Sequence, residues 1–163
     1  PFDITFINGC YWLSLPQVHV DIIAFDSQTD CLGPIAESSI ESYEKTLSLY
    51  KGNYLEGNDY LWSLSKKEAY LKKYYTLATA MAVYYMQRDN YSAAERILQQ
   101  SLENSPLNET VHELLLKCYF LKRDQVAFVT HYQALQKLFK TELGIEPGKS
   151  IQALYKGLLT NNP

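Results

Sequence analysis

"ATAMAVYYMQRDNYSAAERILQQSLENSP", residues 78–106, carries the spacing of a helical hairpin. Ala78, Met81-Ala82 and Tyr85 recur three and four apart, which places them on one face of a helix. Asp89-Asn90 interrupts, and a second helical run holds Ala94 and Leu98 on its inner face before Pro106 closes the unit. This is the tetratricopeptide spacing of W-x2-L-G-x2-Y, A-x3-F and P, with conservative replacements.

A shift of about 34 residues, the period of that repeat, finds it again as His112, Leu115-Leu116, Tyr119, Phe128 and Tyr132. A partial third copy, Ile151, Leu154-Tyr155 and Leu158, comes about five residues late. Small residues such as Ala82 and Ala94 let two antiparallel helices approach, and Tyr85 and Leu98 fill the gap between pairs. Each pair leaves one face bare, so neighbours must stack. The expected fold is all-α, a short tetratricopeptide-like superhelix of helical hairpins with a concave groove.

The late third copy is explained by "ELGIEPGKS", residues 142–150. Gly144 suits the left-handed position past a helix end, and Pro147 suits the first position of the next helix, where a missing N–H costs nothing. Ser105-Pro106 is expected to do the same one repeat earlier, with serine as cap. A phosphate-binding loop is the competing reading. It fails because only three residues separate Gly144 from Gly148, one is a proline without an N–H, and Glu146 sets a negative charge where phosphates would lie.

Upstream, "DITFINGCYWLSL" (3–15) is aromatic and β-branched around Asn8-Gly9, and predicts a β-hairpin from Asp3 to Leu15. Ile22, Ile23, Phe25 and Asp26 open a short helix that Gly33-Pro34 stops. A second helix is expected from about Ser38 to Tyr50, an irregular loop at "KGNYLEGND" (51–59), and a long helix from Trp62 to Gln87.

The 163 residues, 47% hydrophobic, suffice for one substantial core. A net charge of −3 leaves no basic footprint for nucleic acid. Three separated cysteines, Cys10, Cys31 and Cys118, fit reduced thiols in a cytoplasmic protein, and no run approaches the roughly 18 apolar residues of a membrane span. Pro1 is an odd first residue, which suggests a fragment.

Catalytic chemistry finds no foothold. His19, His112 and His131 are scattered, no histidine pairs with Cys118 at metal-ligand spacing, and no G-x-S-x-G is present. Glu41, Glu44, Glu95 and Glu103 follow solvated helix faces rather than a cleft. The expectation is a non-enzyme without metal or cofactor. "YLKKYY" (70–75) and "VYYM" (83–86), among 14 tyrosines, read as core filling. The groove should be lined by Thr79, Val83 and Met86, then Glu113, Lys117 and Phe120, a mixed face suited to a peptide or helix.

Four blocks in order, "VDIIAF" (20–25), "LYKGNYLEG" (49–57) followed by Trp62, "SPLNE" (105–109) and "ELGIEP" (142–147), resemble the bacterial transcriptional activator domain. That is the helical module of Streptomyces antibiotic regulatory protein-type activators and related response regulators, and the resemblance runs from about Val18 to Leu159. It implies that residues 1–20, with "GCYWL" (9–13) before Asp21 and Phe25, are the last hairpin of a winged-helix DNA-binding domain, and that 21–163 form the activator module. It further implies a protein partner, by dimerisation or contact with transcription machinery, with DNA bound only through the missing winged helix. The alternative is an effector sensor with a small-molecule or signal-peptide pocket beside Met86 and Phe120. Phe128 departs from the alanine common in that family.

Overall fold

The computed structural model describes residues 3–14, 20–58 and 60–160. The predicted hairpin end at Leu15, the residues Val18 and His19, and the side chain of Leu158 lie outside what is described.

Strands β1 (Asp3–Ile7) and β2 (Cys10–Ser14) pair antiparallel in the register Ile4↔Leu13, Phe6↔Tyr11, Ile7↔Cys10. Asn8 and Gly9 take φ of 53° and 80°, the doubly left-handed turn whose twist matches that of paired strands. Ile4, Phe6, Tyr11, Trp12 and Leu13 are all exposed, so both faces of the hairpin carry uncovered apolar surface.

Seven helices follow among the described residues: α1 (Asp21–Cys31), α2 (Ile40–Ser48), α3 (Leu64–Met86), α4 (Tyr91–Asn104), α5 (Glu109–Lys122), α6 (Gln125–Leu143) and α7 (Lys149–Thr160). A single 3-10 turn, Leu61–Ser63, leads into α3. Successive helices pair as α1/α2, α3/α4 and α5/α6, and the pairs stack, with α3 against α5 and α5 against α7. The all-α, tetratricopeptide-like reading is therefore what the chain adopts.

The repeat positions explain the stacking. Ala82 and Ala94 are fully buried where α3 meets α4, the most extensive helix contact, since without large side chains the backbones can close up. Leu98, Leu115, Leu116 and Phe128 fill a larger core reaching Ile151. Ala78 and Met81 face the other way, into a smaller core with Phe25, Tyr43, Tyr74 and Ile97. Half-buried Tyr75 and Tyr85 pack against both cores and join them. Phe128 lies parallel to Tyr155 at 6.4 Å, and Tyr132 stacks on Tyr155 at 4.0 Å, so an aromatic stack reaches from α6 to α7.

Helix punctuation differs from the expectation at two prolines. α5 is capped by Asn108, whose side chain accepts from the Val111 amide at 3.2 Å, not by Ser105. Ser105 instead ends α4 and accepts the Asn108 amide at 3.2 Å, so Pro106 sits in a β-turn, where its fixed φ suits the second position. Likewise Pro147 precedes α7 rather than opening it: the first helical bond runs from the Gln152 amide to the Gly148 carbonyl, and Pro147 is buried in the core. In both places a turn takes up residues that a direct helix start would have used. Gly144 does close α6 at φ +70°.

The same segment disposes of the phosphate loop. The Gly148 amide, one a phosphate would need, donates to the Glu109 carboxylate, and a helix rather than a strand precedes it.

Candidate functional site

α3 begins at Leu64, about four turns before the first repeat position Ala78, and its stretch from Glu68 to Ala80 stands between two grooves. One, of about 500 Å³, lies between α3 and the turn into α5, with Leu71, Tyr75 and Thr79 on one wall and Ser105, Asn108 and Thr110 on the other. The second, of about 510 Å³, lies between α3 and the end of α1, lined by Thr29, Leu32, Ala69, Leu77 and Ala80. Lys72 and Thr76 line both. The two grooves therefore form one surface with α3 as its central ridge.

Helical spacing makes that ridge. Lys72, Thr76, Thr79 and Val83 recur at four, three and four residues, opposite the buried stripe of Tyr74, Leu77, Ala78 and Met81. Thr76 and Thr79 donate their hydroxyls to the helix's own carbonyls, of Lys72 at 2.9 Å and Tyr75 at 2.6 Å, so neither donor is free for a ligand. Lys73 is bound to Asp26 at 2.5 Å and Asp30 at 2.6 Å, tying α1 to α3 and holding its proton more firmly than a free lysine. Lys72 has no ion pair among the described residues and is the cation the surface offers. A largely apolar double groove, with Lys72 on its ridge and Glu68 and the Lys73–Asp30 pair among its lining, suits an extended segment that anchors by side chains.

Of the six predicted groove residues, Thr79 lines the surface directly and Val83, 37% exposed, continues its ridge. Met86 is half-buried against the larger core. On α5, Glu113 and Lys117 are bonded to each other at 2.6 Å, which holds the Glu113 carboxyl below its ordinary range, and Phe120 is 42% exposed. These last four line neither groove. Sequence reasoning missed Leu71, Lys72, Tyr75 and Thr76, although stepping back from Thr79 by three and seven residues reaches Thr76 and Lys72.

The histidines are not all scattered. His112 and His131 meet at 3.0 Å between α5 and α6, and the other ring nitrogen of His112 lies 2.8 Å from the Pro106 carbonyl. Among the described residues no cluster could hold a metal ion, and no helix is long and apolar enough to cross a membrane.

A family model described as the bacterial transcriptional activator domain matches residues 33–159. Among solved structures, Mycobacterium tuberculosis EmbR in complex with a low-affinity phosphopeptide matches with a TM-score of 0.65 at 21% identity. The match covers 98% of this chain and 44% of that one, so the chain spans less than half the length of EmbR, and the likeness is one of fold. No curated protein matches the chain.

Proposed function

Because the chain belongs to the bacterial transcriptional activator domain family, we propose that it is a non-catalytic, cytoplasmic regulatory module that receives a protein partner in the double groove along α3. The observation that carries this reading is the sharing of Lys72 and Thr76, which makes two grooves one surface long enough for an extended segment. The leading partner is a second copy of the chain, and transcription machinery is the other. EmbR, with the same fold over part of its length, was captured with a phosphopeptide, which supports a peptide or protein as the class of partner.

Residues 1–20 are assigned to the end of a winged-helix DNA-binding domain and 21–163 to the module. The exposed apolar chains on both faces of the hairpin support that assignment, because a lone hairpin of this kind is marginal in water and belongs to a larger sheet. Pairing of two modules would then set the separation of two winged helices on DNA. Met86 and Phe120, where the effector-sensor reading places its pocket, line neither groove.

The test is light scattering across a concentration series, with Thr76→Arg as the variant. The wild type is expected to rise to a dimer mass, and the variant to remain a monomer with an unchanged melting temperature. A dimer that survives the substitution places the interface elsewhere. A monomer at every concentration ends the self-association reading in favour of the transcription machinery.

A further inference from the structure

A separate cleft of about 610 Å³ lies between α2 and α4, each of which rests on α3 rather than on the other. Buried Tyr74, Met81 and Ile97 floor it. Its walls are regular: Glu44, Ser48 and Lys51 follow one edge of α2 and its continuation, and Arg96, Gln100 and Glu103 follow one edge of α4 at the same spacing of four and three. Glu44 and Glu103 are exposed, as expected of solvated faces, and they also line the rim of this cleft.

Each end of the cleft holds one acid and one base. Tyr85 marks the first end: its hydroxyl donates to Glu44 at 2.5 Å, and burial, then that carboxylate, push its pKa up to about 12 against the lowering charge of Arg96. Tyr74 marks the second. It stacks on Tyr50 beside Lys51 at 4.3 Å, and its hydroxyl meets Ser101, on the turn of α4 that carries Glu103, at 3.4 Å. Among the described residues no ion pair closes either end across the gap. From Arg96 to Glu103 the helix rises about 10 Å. An extended chain advances about 3.3 Å per residue, so about three residues span the two ends.

We propose that this cleft binds a short free peptide of about three residues with unblocked termini. Glu44 keeps its charge while the Tyr85 hydroxyl fixes its position, and Arg96, the cation of that end and in no ion pair among the described residues, takes the peptide's carboxylate. The ammonium goes to Glu103, Gln100 and Asn104 face the peptide groups, and the central side chain lies on Tyr74, Met81 and Ile97. Such a ligand bridges the first helix pair to the second. This site is independent of the groove along α3.

The test is calorimetric titration of the whole chain with Ala-Leu-Ala, its C-amidated form and its N-acetylated form. The free peptide is expected to bind one to one, and each blocked form about tenfold more weakly, the scale of one charge-assisted hydrogen bond. Arg96→Gln should weaken the free peptide about tenfold yet leave the C-amidated one unchanged, because that contact is already lost. Glu103→Gln should do the same against the N-acetylated form, and Thr76→Arg should change nothing here. No saturable heat, equal binding of the blocked peptides, or loss of binding in Arg96→Gln that ignores the amidation would each overturn the assignment.

Discussion

At His112 the hydrogen-bond order is fixed by one acceptor that cannot donate. The Pro106 carbonyl only accepts, so the proton of neutral His112 sits on Nε2, its Nδ1 accepts, and His131 Nε2 donates to it. His112 must then be neutral for the chain of bonds to stand, whereas a protonated His131 would keep its Nε2 donor but would be a buried cation. Burial first, and then the neighbouring His112, pull His131 down to about 4, and burial lowers His112 as well. Between the ordinary value of 6.5 and about 4 the unfolded chain takes up protons that the folded one refuses. The pair's contribution is therefore complete above pH 6.5 and is lost as pH falls through that window. Melting temperatures followed by circular dichroism should drop accordingly, and His131→Gln, which keeps a donor but does not titrate, should flatten the slope. A second consequence concerns thiols. Cys118 is buried, with its thiol pushed up to about 11, whereas Cys10 and Cys31 are exposed. A thiol reagent at pH 8 should modify two cysteines rapidly and the third only on unfolding; three fast thiols would contradict the burial.

Among the elements, caps carry the differences between pattern and structure. Asn108 closes the start of α5 by accepting the Val111 amide, so Asn108→Ala should cost about 1 kcal/mol in urea unfolding. Gly144 holds φ +70° with open space around an added Cβ, so Gly144→Ala should also cost about 1 kcal/mol, purely for the left-handed backbone, and Gly144→Asn less. A loss near zero in the alanine variant would mean that α6 ends differently. The repeat itself was legible because Ala82, Ala94, Leu98 and Leu115 sit where helices must touch, and contact forces a spacing. Helix starts at Asn108 and Gly148 were not, because a β-turn or a buried proline shifts them by a few residues without disturbing the apolar period. The His112–His131 bond and the cleft between α2 and α4 depend on how separate helices cross, which no local pattern encodes. One groove residue, Thr79, was legible for the opposite reason: it lies on the same helix as the core stripe that sets its direction, and Val83 continues its ridge.

In the whole molecule, the two cores make a short array in which each helix pair meets only its neighbours. α1 and α2 belong to the smaller core alone, through Phe25 and Tyr43, and Tyr43 also donates to the Gly33 carbonyl at 2.6 Å to hold the loop between them. α5, α6 and α7 belong to the larger core, and contact passes between the cores through α3, α4 and the rings of Tyr75 and Tyr85. Stability should follow the same division, since local opening tracks the contacts that a segment makes. Phe25→Ala removes the largest fully buried ring of the smaller core, a change worth about 3 kcal/mol, but touches nothing in the larger one. Hydrogen exchange read by mass spectrometry should therefore accelerate in α1 and α2, less in α3, and hardly at all in α5 and α6. Uniform acceleration along the chain would make the array one cooperative unit. A gradient would mean that the end of the array beside the groove of Thr29 and Leu32 can open by itself, and that a partner seated there stabilises the first helix pair before any other.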